Sequence, residues 1–129
     1  MSHRLAVRVY YEDTDLAGVV YYANYLRFLE RARTEWAREQ GIDQVRMREE
    51  EGLVFAVRRV EADYLRPARF DDLLEVRTDV EAASGARLVL RQEVWRESQQ
   101  LLAARVTLAA MEATGRPRRI PARLLGRWG

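Results

Sequence analysis

The residues best able to do chemistry lie close together near the start of the chain. Asp13 and Asp15 flank Thr14, Gly18 follows, and Tyr21, Tyr22 and Tyr25 lead into an amphipathic stretch. A carboxylate beside a helix start brings together two chemical tools. The acid can act as a base or a nucleophile, and the free backbone N–H groups of a helix's first turn can hold an oxyanion. A glycine among them lets the backbone approach a ligand closely. That combination suits attack on an activated carbonyl, with the helix macrodipole favouring negative charge at its N-terminus.

What the sequence lacks narrows the chemistry further. There is no cysteine, which removes disulfides, thiolate nucleophiles and cysteine-bound metals. The single histidine, His3, is expected in a frayed N-terminus. A Ser-His-Asp triad or a histidine zinc site would have to recruit it, so no metal site is expected. The serines Ser2, Ser84 and Ser98 stand in no nucleophile-elbow context. If the chain is an enzyme, carboxylates and backbone dipoles must carry its chemistry.

The elements that must position these groups follow from periodicity. At 129 residues and 48% hydrophobic, the chain has the size and core of a single domain over 1–129. No apolar run reaches the ~20 residues of a membrane span, and no signal peptide opens the chain, so a cytoplasmic protein is expected. Leu5, Val7, Val9 and Tyr11 alternate with Ala6, Arg8 and Tyr10 as a first strand. Tyr25, Leu29, Ala32 and Trp36 then make one face of a helix, with Gly41 as its stop and Asn24 as its cap. Asp43–Glu51 reads as a short helix or turn. Four strands follow, at Val54–Leu65, Leu73–Ala82, Arg87–Trp95 and Leu101–Met111. Their short links imply antiparallel neighbours, and one long helix must bury its apolar face on that sheet. The expected class is α+β.

The segment Tyr11–Thr34 (YEDTDLAGVVYYANYLRFLERART) resembles the signature of the 4-hydroxybenzoyl-CoA thioesterase family and the related Tol-Pal-associated acyl-CoA thioesterases. Tyr64–Thr78 (YLRPARFDDLLEVRT) resembles the family's second characteristic segment, and the likeness covers roughly Val7 to Ala113. The resemblance implies a hotdog fold, an antiparallel sheet wrapped around one central helix. It implies hydrolysis of an acyl-CoA, with Asp15 as the catalytic carboxylate and the Tyr22 N–H polarising the thioester carbonyl. Many Tol-Pal-associated members carry histidine where this chain has Tyr22, and the 4-hydroxybenzoyl-CoA type carries tyrosine. Tyr22 thus favours a carboxylate-plus-amide mechanism without fixing the acyl group.

Around this centre, Gly18 is expected to contact substrate, and Phe55 and Val57 to line the acyl pocket. Arg58 and Arg87 are candidates for the CoA phosphates, with the turn at Ser84 and Gly85 beside them, because guanidinium forks suit phosphate. Each has a plainer reading as core, turn or solvated strand residue. Asp13 and Thr14 are expected to shape the loop, and Glu30 to serve a surface or interface ion pair. No cofactor is expected beyond the coenzyme A of the substrate. Family members dimerise with pockets between subunits, and the dimers often pair into tetramers, so a homo-oligomer is implied. Two other classes stand beside this one. A hotdog subunit can hold acyl-CoA without turning it over. Arg116, Arg118, Arg119, Arg123 and Arg127 can instead form a nucleic-acid-binding tail, although no stacking aromatics accompany them.

Overall fold

A computed structural model describes residues 2–128; Met1 and Gly129, the two ends of the expected domain, lie outside the described residues. Strand β1 (His3–Arg8) is followed by a loop and the long helix α1 (Tyr25–Glu39). Helix α2 (Gln44–Glu51) leads to β2 (Leu53–Tyr64), β3 (Leu73–Ser84), β4 (Arg87–Arg96), β5 (Gln99–Glu112) and the C-terminal helix α3 (Ala122–Trp128). The strands form one antiparallel sheet in the order β1-β3-β4-β5-β2. This is the hotdog fold.

Alternation along the strands sends Leu74, Val76, Leu88, Leu90, Val94, Leu102 and Val106 into the core. They meet Tyr25, Phe28, Leu29, Ala32 and Trp36 of α1 there. The apolar stripe of α1 thus faces the sheet. One polar pair joins it. Gln92 is fully buried on the same face, and its amide nitrogen donates to the Leu29 carbonyl (3.0 Å) and to Thr78 Oγ1 (2.9 Å). Arg33 Nη1 donates to the Gln92 amide oxygen at 3.1 Å, and burial pushes the Arg33 pKa down. This network ties the middle of the helix to the sheet.

Helix ends follow their local chemistry. At Gly41 (φ 79°) the left-handed backbone ends α1, with the Ile42 N–H donating to the Ala37 carbonyl at 2.9 Å. Asp43 caps α2 through Arg46 N at 3.0 Å. Beyond β5 the chain closes over one end of the sheet. Ile120 and Leu124 are buried, and Trp128 packs on Trp36 and Phe55 at ring-centroid distances of 5.4 and 6.1 Å.

Three expectations need correction. The first strand stops at Arg8, and Tyr11 opens a 3₁₀ turn through Asp13, because the Asp13 carboxylate draws the chain round by accepting from Tyr10 N (2.8 Å). His3 is not frayed: it pairs with Thr78 in the sheet, and its Nε2 lies 3.4 Å from Glu39. The last strand, expected from Leu101, begins at Gln99, which pairs with Arg96 across a tight turn.

Candidate active site

The loop between β1 and α1 is a small hairpin. Thr14 bridges Val20, the Asp15 N–H donates to the Val19 carbonyl (2.9 Å), and the Tyr21 N–H donates to the Asp13 carbonyl (3.0 Å). At its tip the Gly18 N–H closes a turn onto the Asp15 carbonyl at 3.0 Å. Gly18 has φ +81°, and a Cβ added there would meet nothing within 4 Å. Its backbone conformation, rather than crowding, explains the glycine in this chain. Asp15 is exposed beside it. One carboxylate oxygen accepts from Ala17 N at 2.9 Å, so Asp15 serves as the turn residue, and no partner occupies its other oxygen among the described residues.

Asp13, in contrast, is buried. Its Oδ2 accepts from Tyr10 N (2.8 Å) and its Oδ1 from Asn24 Nδ2 (2.9 Å). This corrects the expectation for Asn24, whose side chain makes no cap hydrogen bond and instead anchors Asp13. The Asp13–Asn24 pair ties the front of the loop to the helix start.

The helix start itself begins with a 3₁₀ turn over Tyr22–Asn24 that runs into α1. The Tyr21 carbonyl accepts from Asn24 N at 2.8 Å, along the helix direction. In a planar trans peptide the N–H points opposite to the C=O. The Tyr22 N–H therefore points backwards, out of the helix start, and no protein acceptor takes it among the described residues. Tyr21 and Tyr22 rings are exposed here, with centroids 4.9 Å apart.

The segment after β2 forms the floor. The Val20 N–H donates to the Ala68 carbonyl (2.8 Å), the Ala68 N–H donates to the Tyr25 hydroxyl (3.0 Å), and Val19 bridges Arg69. Burial raises the pKa of the Tyr25 phenol, keeping it neutral. The two sequence segments that look most family-like are thus packed on one another.

The other candidate residues lie elsewhere. Strand pairing puts Arg8, next to the loop, opposite Leu73 at the start of β3, while Ser84 ends that strand. Ser84, Gly85 and Arg87 are therefore at the opposite end of the sheet from Asp15, about 36 Å along the strand at ~3.3 Å per residue. Phe55 pairs with Ala110, whose N–H donates to the Ala86 carbonyl at 2.7 Å, so Phe55 belongs to that far end as well. Phe55 is half-buried and Val57 exposed. Both line a cavity of about 540 Å³ with Trp36, Leu88, Leu90 and Trp128. Arg58 is exposed at a break in the β2–β5 register between Val57 and Arg59. A single copy does not bring these side chains to Asp15. Glu30 is exposed and makes no ion pair among the described residues. The basic tail is largely committed within the chain: Arg123 pairs with Glu51 (2.6 Å), Arg118 donates to the Glu51 carbonyl, and Arg127 to that of Gln40.

Sequence reasoning missed Tyr64. It ends β2, and its hydroxyl donates to the Tyr22 carbonyl at 2.8 Å. Alternation marked it only as a strand residue, and nothing local signals a contact across 42 positions. Among the described residues no group of three His, Cys, Asp or Glu side chains could hold a metal, and no helix is long and apolar enough to cross a membrane.

Comparison with known proteins matches residues 17–103 to the thioesterase superfamily. The chain is similar to the acyl-CoA thioesterase YbgC of Haemophilus influenzae, 45% identical over 106 residues, covering 82% of this chain and 78% of that one. Among solved structures, a probable thioesterase from Bartonella henselae superposes with a TM-score of 0.90 at 39% identity, covering 94% of this chain and all of that one (100%). A mutant 4-hydroxybenzoyl-CoA thioesterase, complexed with 4-hydroxybenzoyl-CoA, superposes at 0.93 over 99% of both chains. At 23% identity it speaks for the fold alone.

Proposed function

The chain belongs to the thioesterase superfamily, and from that premise we propose that it hydrolyses short-chain or aromatic acyl-CoA thioesters with Asp15 and the Tyr22 N–H as its working groups. The observation that carries this is their shared mount. One hairpin holds an exposed carboxylate with a free oxygen and leads directly into the outward-pointing Tyr22 N–H. A thioester carbonyl is already electrophilic. Asp15 attacks it, directly or through a water it deprotonates, and the carbonyl oxygen gains negative charge against the Tyr22 N–H. The C–S bond breaks, CoA leaves as a thiol after taking a proton, and water supplies the oxygen of the free acid. No cofactor beyond the substrate's own coenzyme A enters this scheme, and we expect the enzyme in the cytoplasm.

The far-end residues enter through a second copy. Strand β2 is an edge of the sheet, and an edge pairs readily with another strand. Two β2 strands paired antiparallel about a two-fold axis would lay the Phe55–Arg58 end of one beside the Tyr64 end of the other. Each site would then take Asp15 and Tyr22 from one subunit and Phe55, Val57, Arg58 and the Ser84–Arg87 turn from its partner, giving two equivalent sites per dimer. The family likeness extends this to a dimer of dimers.

A screen of aliphatic and aromatic acyl-CoAs with wild type and Asp15→Asn tests the reading. Asparagine can still accept from Ala17 N, so the turn survives. We expect kcat to fall at least ~10²-fold, the scale of losing a general base, with the melting temperature unchanged. Near wild-type turnover by the Asn variant would remove Asp15 from the mechanism.

A further inference from the structure

We propose that Tyr64 is a positioning residue for hydrolysis, its hydroxyl fixing the peptide next to the one that carries the Tyr22 N–H and so bracing that donor. The inference rests on the Tyr22 donor role proposed above. Two peptide units meet at the Tyr22 Cα. The first, which carries the Tyr22 N–H, is fixed where the Tyr21 carbonyl accepts from Asn24 N at 2.8 Å. The second is fixed where the Tyr22 carbonyl accepts from the Tyr64 hydroxyl at 2.8 Å. With both planes held, both soft dihedrals of Tyr22 are set, and the plane that carries its N–H is braced from both sides.

The mount behind Tyr64 is stiff. It is the last residue of β2, paired with Leu102, and the next residue, Leu65, donates its N–H to the Leu101 carbonyl at 2.9 Å. Its ring makes edge contacts with Tyr25 (centroids 5.5 Å) and Tyr22 (6.4 Å), so a core residue of α1 buttresses it. Burial, and then the neighbouring Tyr22, push the Tyr64 phenol up, which keeps it a donor through neutral and mildly alkaline pH. Its proton already goes to a carbonyl, so it is not poised to protonate a leaving group. Hydrogen bonds weaken steeply as the donor tilts away from its acceptor, and preorganised donors stabilise a transition state because they need no reorientation.

Tyr64→Phe removes the hydroxyl and keeps the ring. Losing an oxyanion donor outright costs on the order of 10²–10³ in kcat, and loosening its mount should cost part of that, about 10-fold. We expect this fall in kcat, with KM within about twofold, an unshifted pH profile and a melting temperature near wild type. Amide exchange at Asn24, whose N–H holds the Tyr21 carbonyl, should quicken while that in the middle of α1 does not. Tyr64→Leu, which also loses the ring, should fall at least as far in kcat. Unchanged kcat in Tyr64→Phe would overturn the proposal. So would a raised KM at constant kcat, which would make Tyr64 a substrate contact, or loss of an alkaline limb, which would make it an acid. Asp15→Asn is assayed beside it. If that variant is inactive while Tyr64→Phe is normal, only the positioning role fails; if Asp15→Asn is fully active, the underlying reading fails first.

Discussion

The two ends of the sheet are built differently. At the loop end, most backbone N–H groups from Asp13 to Asn24 have a partner, a buried carboxylate sits inside the loop, and the segment after β2 braces it from below. At the hairpin end, Ser84, Arg87, Val57 and Arg58 are exposed side chains with no side-chain hydrogen bond among the described residues. The difference separates two demands on an enzyme. Groups that act on a reacting carbonyl must be held before substrate arrives. Groups that grip a long, flexible, charged carrier need only be presented at the right place, which in the proposed dimer lies on another copy.

The largest effect that can break this comparison is complementation. In a shared-site dimer, a mixed pair of Asp15→Asn and Arg87→Glu subunits carries one site with both defects and one with neither. If Arg87 grips CoA, each variant alone should be weak, Asp15→Asn by ~10²-fold in kcat and Arg87→Glu mainly through KM. Co-refolding equal amounts should restore roughly a quarter of wild-type activity at sub-saturating substrate, since about half of the dimers are mixed and each has one sound site. No recovery from two weak variants would place both groups in one chain's site. A fully active monomer in sedimentation equilibrium would end the arrangement altogether.

A smaller effect tests how the loop end is held. Asn24→Ala leaves Asp13 Oδ1 buried without its partner, which should cost about 1–3 kcal/mol in urea unfolding. The same truncation at Arg87, whose side chain is exposed, should cost under ~0.5 kcal/mol. Equal losses at the two sites would erase the contrast in preorganisation.

How much of this was legible in the sequence differs by end as well. The α+β class, the order of elements and the stop at Gly41 were legible because alternation, helical spacing and a left-handed glycine are local signals. A carboxylate beside a helix start was legible because both lie within one short segment, while the choice of Asp15 and the Tyr22 N–H within it rested on the family likeness. Gln92 shows where local signals run out: its polar side chain breaks the apolar pattern of β4 but is buried on a helix carbonyl. Tyr64 and Asn24 were assigned the wrong partners or none, because their partners lie in other elements. The far-end set was assembled by likeness alone, and no periodicity could say that β3 carries Ser84 the length of the sheet away from Asp15.

The smallest effect concerns two glycines, one at each end. Gly18 and Gly85 have φ of +81° and +61°, and neither has an atom within 4 Å of where a Cβ would stand. Conformation explains both in the free chain, so neither is required to make room for the protein's own atoms. Their turns nevertheless differ. Gly18 follows a turn closed onto Asp15, a left-handed position that asparagine also tolerates. Gly85 opens a two-residue link between paired Ser84 and Arg87, with a positive φ there and not at Ala86, the pattern of a type II′ turn that only glycine fits well. Gly18→Asn should therefore cost well under ~1 kcal/mol and Gly18→Ala about 1–2 kcal/mol, while Gly85→Asn should cost more than Gly18→Asn. Activity adds the sharper reading. If Gly18 is needed only for its backbone angle, Gly18→Asn keeps kcat/KM within about twofold. A large rise in KM for that stable variant would show that substrate passes over the glycine, and that the loop end grips as well as reacts.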